Sequence, residues 1–183
     1  MSFDKNKYEA SSETGYFHVI YTLKYSRYEE EKIIKKKPAG FIARTYPFLE
    51  GTEEEILVET VCNVADALGL KIIALNFCGD HVHSMLSCSP EYLPEIMMLW
   101  KGKISYLFNR WINKTIDLQP SIDSKGTKQQ LWSKSYYQKK INSGKQFQNT
   151  IDYIKNNRIK HGLKDLSENF TKRIEKTILK RID

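Results

Sequence analysis

The stretch Phe77-Cys78-Gly79-Asp80-His81-Val82-His83-Ser84-Met85-Leu86 constrains this chain more than any other segment. Two apolar runs flank a Gly-Asp pair, a dipeptide suited to a tight β-hairpin turn. On a strand, residues i and i+2 share a face. His81 and His83 therefore put two imidazoles side by side on one face of a sheet. Half of the chain's four histidines fall in this one tripeptide. Imidazoles at that spacing are natural metal ligands. They are also ordinary polar residues of a half-buried strand, and the tripeptide by itself leaves both readings open.

The pattern around the hairpin predicts the fold. Tyr16 to Tyr25, aromatic and β-branched, reads as a first strand. Ser26 to Gly51 carries the charged run EEEKIIKKKP and reads as an insertion. Thr52 to Leu68 is an amphipathic helix, with Thr52 and Glu55 as a capping box and Gly69 as its stop. Leu70 to Cys78 and His81 to Ser87 are the paired strands of the hairpin. A second helix runs over Glu91 to Trp111, with Leu93, Ile96, Met97, Trp100, Ile104 and Phe108 facing inward. Leu131 to Ile141 is a fourth strand, Phe147 to Lys160 a third helix, and Leu166 to Ile182 a basic tail helix. The order β-α-β-β-α-β predicts an α+β, ferredoxin-like antiparallel sheet with helices on one face, followed by C-terminal helices. The predicted division is a loose segment over 1–15, the main domain over 16–163 and the tail helix over 164–183.

Charge suggests a partner. The 183 residues have a net charge of +7, but it is unevenly spread. From Lys125 onward there are 15 Lys/Arg against 5 Asp/Glu, a net of +10, whereas the first 124 residues carry 14 against 17, a net of −3. Such polarity suits a polyanion, most simply nucleic acid; a solvated Lys-rich surface is the plainer alternative. No apolar run approaches the roughly 20 residues of a membrane span. The start MSFDKNKYEA lacks the apolar core of a signal peptide. The three cysteines have no CxxC spacing and read as reduced thiols, so the expected compartment is the cytoplasm.

The third helix carries a second constellation, Thr150-Ile151-Asp152-Tyr153-Ile154-Lys155-Asn156-Asn157-Arg158. Residues four apart share a helix face, so Tyr153 and Asn157 project together. A phenol is a nucleophile when a metal or base helps remove its proton. An amide oxygen is a hard ligand that suits Mg or Mn. Lys155, Arg158 and Lys160 around this face, with Lys139 and Lys140 in the fourth strand, are candidate DNA-binding residues. Standing alone, the helix also reads as an exposed basic helix whose tyrosine packs at an edge.

His81-Val82-His83, followed downstream by Tyr153-Ile-Lys-Asn-Asn157, resembles the single-tyrosine HUH transposases of the insertion-sequence 200/605 type, and among them the REP-associated tyrosine transposases. YFHVIYTLKY, NFCGDHVHSML and LWSKSYY fit the same resemblance, which spans about Tyr16 to Leu163. The likeness implies cleavage and rejoining of single-stranded DNA beside a hairpin through a 5′-phosphotyrosine intermediate. It makes Tyr153 the nucleophile and His81, His83 and Asn157 the ligands of Mg or Mn. Many members carry Gln where this chain has Asn157. REP-associated relatives often have Asn-Pro where this chain has Asn157-Arg158. In some relatives a homodimer completes each site in trans, while others act alone. Two rival readings remain: a non-catalytic single-strand-binding module, and a hydrolytic metal-dependent nuclease in which water attacks.

Overall fold

The structure, a computed structural model, describes residues 14–24, 26, 48–115 and 130–179. The segment Ser26–Gly51 lies mostly outside these residues, as does most of the N-terminal stretch. Four strands, β1 (Gly15–Thr22), β2 (Lys71–Phe77), β3 (His81–Cys88) and β4 (Tyr137–Ile141), form one antiparallel sheet in the order β2-β3-β1-β4. This is the expected ferredoxin-like arrangement. Two long helices, α1 (Thr52–Leu68) and α2 (Leu93–Thr115), pack together over one face. Three C-terminal helices follow: α3 (Gly144–Lys155), α4 (Asn157–Lys160) and α5 (Glu168–Leu179).

Strand alternation divides the sheet into two faces. Phe17, Val19 and Tyr21 of β1 and Val82 and Leu86 of β3 enter the main core. There they meet Leu57, Val61, Val64, Ala65 and Leu68 of α1 and the inward row of α2. All six α2 residues expected to face inward are buried, because apolar positions at three- and four-residue spacing form one stripe. The other face carries His18, His81 and His83 together with Ala74, Met85 and Ile141, which form a small buried apolar cluster with Ile154 of α3. The cluster seats α3 across this face, against β2 and β3.

A bulge re-phases β2. Ile72 pairs with Leu86 and enters the main core, but the register shifts between Ile72 and Ala74. Ala74, paired with Met85, then joins the cluster beneath α3. One inserted residue thus turns the rest of the strand over. Asn76 lands opposite His83 and below α3, where its Nδ2 donates to the carbonyls of Ile154 at 2.6 Å and Lys155 at 3.1 Å.

Several local expectations differ from the structure. The fourth strand is only Tyr137–Ile141; before it, Leu23 and Trp132 form an isolated bridge. The third helix starts at Gly144 rather than Phe147, because the Ser143 side chain accepts the Gln146 N–H as its N-cap. It also breaks at Asn156, so Tyr153 and Asn157 belong to two successive helices. The Thr52 capping box does not form: Gly51 is the N-cap, without a side-chain cap bond. Of the three acids in the first turn, Glu53, Glu54 and Glu55, the middle one is buried. Helix α5 docks on α1, where Arg173 bonds Glu59, Asn63 and Asp66.

Candidate active site

The hairpin turn holds the two histidines in register. Cys78 N–H donates to the His81 carbonyl at 2.9 Å, and Gly79 takes φ 68°, the left-handed region natural to glycine. The Phe48 ring packs where a Cβ on Gly79 would lie. Gly79 N–H donates to Glu54 Oε1 at 3.2 Å. The same carboxylate receives Arg158 Nη1 at 2.6 Å, and Nη1 also donates to the Phe77 carbonyl at 2.8 Å. One buried ion pair therefore ties α1, the hairpin and α4 together.

That pairing corrects the reading of Arg158. Expected on the DNA-binding face, its guanidinium is instead buried and engaged by Glu54 and by the carbonyls of Phe77 and Lys164. Lys139 and Lys140 separate as well. Neighbours on a strand point to opposite faces, and Lys139 is the one paired across from His18. Lys140 faces away from the histidines. Lys155 and Lys160 are exposed, and Lys160 Nζ stands 4.7 Å from the centre of the Tyr153 ring.

All four histidines converge. His18 of β1 shares a hydrogen bond of 3.1 Å between its Nε2 and His83 Nδ1. The His81 and His83 rings lie 4.8 Å apart, and His161, just beyond α4, sets its ring 5.2 Å from His81. Asp80 bonds His81 through Nδ1. Both HVH imidazoles thus have Nδ1 engaged by a neighbour, and Nε2 is the ring nitrogen each has left to offer a metal. Burial, followed by the like charges of His81, His18 and His161, brings His83 down to about 3, so it is neutral at physiological pH. Burial and the nearby Lys139 also lower His18.

Tyr153 and Asn157 approach this cluster differently from a shared helix face. Tyr153 remains 40% exposed, its ring edge-on to His83 at 5.5 Å and His18 at 5.8 Å. Asn157, past the helix break, is 1% exposed. Its Oδ1 accepts from the Cys78 thiol at 3.3 Å, and its amide lies against His83. Its Nδ2 is buried without a hydrogen-bond partner. A polar atom so stranded costs about 1–3 kcal/mol. Turning the amide over would present its oxygen on the stranded side, and a cation there would relieve that cost. The two imidazoles and this amide oxygen therefore fit a divalent ion of borderline-to-hard character. Cys78, His81 and His83 also hold their ligand atoms within 4.8 Å of one another.

A groove of about 600 Å³ leads from Tyr153 past His18 to Tyr137, Lys139 and Lys145. The HVH pair, Tyr153 and Asn157 were named from sequence. His18, Cys78, Asp80 and His161 were not, although His18 stands in the first strand at a position whose i±2 neighbours, Tyr16 and Ile20, share its face.

The family model for IS200-like transposases matches residues 11–157, reaching Asn157 and including both histidines and Tyr153. The chain belongs to the IS200-like transposase family. Two solved structures are similar to this transposase-family chain. One is a candidate transposase from Deinococcus radiodurans R1, with 20% identity, a TM-score of 0.48, and coverage of 80% of this chain and 93% of that one. The other is a REP-associated tyrosine transposase bound to a REP hairpin, with 18% identity, a TM-score of 0.47, and coverage of 81% and 68%. No curated protein matches the chain. No helix among the described residues is long and apolar enough to cross a membrane.

Proposed function

We propose that this transposase cleaves and rejoins single-stranded DNA through a covalent 5′-phosphotyrosine link at Tyr153. The approach of the Tyr153 ring to the His18–His83 pair, at 5.8 and 5.5 Å, carries this reading. A half-exposed phenol beside His83, one of the two proposed imidazole ligands, has access both to solvent-borne DNA and to a metal seat. Lys160 Nζ, 4.7 Å from the ring centre, makes a cation–π contact with the same ring.

In the reaction, the Tyr153 oxygen forms a bond to phosphorus, and the bond to the 3′-oxygen breaks. The phenolic proton is lost, and the departing 3′-oxygen gains one to become a hydroxyl. Rejoining reverses this with an incoming 3′-hydroxyl, so the phosphodiester energy is conserved in the tyrosine ester. His81, His83 and Asn157 would hold Mg or Mn, and a divalent ion bound there would neutralise the phosphate oxygens and polarise the phosphorus. Asp80 and His18 orient the imidazoles.

The groove supplies the strand-binding surface. Tyr137 is 53% exposed, a platform on which a base can stack. Lys139 and Lys145 line the same groove and suit flanking phosphates. A strand carrying a hairpin is the substrate we infer, matching the resemblance of the sequence motifs. The Glu54–Arg158 pair and the Asn76 bonds anchor the tyrosine-bearing segment to the histidine strands of its own chain. We therefore infer assembly of the site in cis.

The test is incubation of labelled hairpin-bearing single strands with Mn, followed by denaturing electrophoresis. A covalent protein–DNA adduct is expected from the wild type and none from Tyr153→Phe. Free 5′-phosphate ends without adduct would assign the attack to water, and binding without cleavage would make the protein a non-catalytic module.

A further inference from the structure

We propose that Cys78, His81 and His83 form a seat for a thiophilic divalent cation of the zinc class. We also propose that this ion excludes a hard ion from the same two histidines. The exclusion clause rests on the hard-ion seat proposed above; the thiophilic seat does not.

The three ligand atoms are buried, lie within 4.8 Å of one another and are offered by one hairpin. Cys78 and His81 flank the Gly79-Asp80 turn, and His83 follows on the same face as His81. The turn is held from outside the cluster by Glu54 and Phe48, so these ligands are preset by the fold. Sulfur and imidazole together form a donor set that selects zinc over magnesium or manganese. Three protein ligands leave a fourth tetrahedral position for water.

The structure also shows what the sulfur does otherwise. The Cys78 thiol donates its proton to Asn157 Oδ1 at 3.3 Å. When a thiophilic ion binds, a metal–sulfur bond forms, the thiol proton passes to solvent, and Asn157 Oδ1 loses its donor. Nothing is oxidised or reduced. The ion is drawn to the hairpin side by sulfur, whereas a hard ion is drawn to the α4 side by the amide oxygen. His81 and His83 cannot serve both at once, so occupancy is mutually exclusive.

Cobalt(II) reports the ligand set without any need for DNA. Titrated into the full-length protein, it is expected to give a thiolate-to-cobalt charge-transfer band and strong tetrahedral visible bands. Cys78→Ser keeps a hydroxyl donor for Asn157 and is expected to lose the charge-transfer band, with unchanged circular dichroism. A band that persists in Cys78→Ser, or weak octahedral bands alone in the wild type, overturns the seat. Manganese resonance then tests exclusion: zinc added to the Mn-loaded protein is expected to release free Mn in the wild type. Zinc that binds with Mn still held overturns exclusion. Failure of Mn to bind at the outset refutes the hard-ion seat and with it exclusion, while the cobalt band still decides the thiophilic seat.

Discussion

The two faces of the sheet are built from the same strands and do opposite work. Toward α1 and α2, β1 and β3 present Phe17, Val19, Tyr21, Val82 and Leu86 to a continuous apolar core. Toward α3 they present His18, His81 and His83, beside a small apolar cluster of four buried residues with Ile73, Phe147 and Ile151 at its edge. The first face is held by area buried from water. The second is held by directed bonds: Asn76 to the end of α3, Arg158 to Glu54, His18 to His83 and Asp80 to His81. Area tolerates exchange of one apolar residue for another of similar volume. Directed bonds do not, because each buried polar group is stranded when its partner is removed. Stability and chemistry thus separate across a sheet one residue thick.

Changes on each face test this separation. The largest effect is expected from Tyr153→Phe, which removes the proposed nucleophile: adduct formation falls to background while the unfolding free energy from urea titration stays within about 0.5 kcal/mol of wild type. A large loss of stability in that variant would show that the phenol also supports the fold. Trp100→Ala does the reverse. Trp100 is fully buried on the core face, and its indole N–H donates to the Val61 carbonyl at 3.3 Å. Denaturation should report a loss of about 3–5 kcal/mol, with adduct formation retained in whatever fraction stays folded.

Arg158→Met crosses the divide, since it strands the Glu54 carboxylate in the interior. A destabilisation of about 3–5 kcal/mol is expected, most of it recovered by adding Glu54→Gln. If the double variant is no more stable than the single one, the ion pair is not the tie between hairpin and α4. Asn76→Ala removes the two bonds to the end of α3. It should reduce stability by about 1–3 kcal/mol and slow adduct formation more than the lost stability accounts for, because Tyr153 loses its anchor.

The smallest effect separates two adjacent lysines. Lys139→Gln, on the histidine face, should lower the slope of log affinity against log salt by about 1. Lys140→Gln, on the opposite face, should leave it unchanged. Equal slopes for the two variants would place the DNA elsewhere than in the Tyr137–Tyr153 groove.

Much of this was legible because strand and helix periods are local. Alternation alone puts His81 and His83 together, and the α2 stripe from Leu93 to Phe108 names a buried face without knowledge of its partner. The errors share one cause. Arg158 looked like a surface cation because its counter-ion, Glu54, is 104 residues away. Asn157 looked like the helical neighbour of Tyr153 because nothing nearby in sequence announces the break at Asn156. Ile73 sits in an unremarked apolar run, yet the bulge there decides that Asn76 reaches α3.

The sequence by itself determined the first three strands, the two helical stripes, the hairpin and the pairing of its imidazoles. These follow from backbone geometry, which repeats every two or 3.6 residues whatever the rest of the chain does. Only the tertiary structure decided that His18 and His161 join that pair, that Cys78 meets Asn157, and which cations remain at the surface. Those outcomes depend on contacts between segments tens of residues apart. Such contacts are selected by how the helices pack on the sheet and by the need of each buried charge to find a partner.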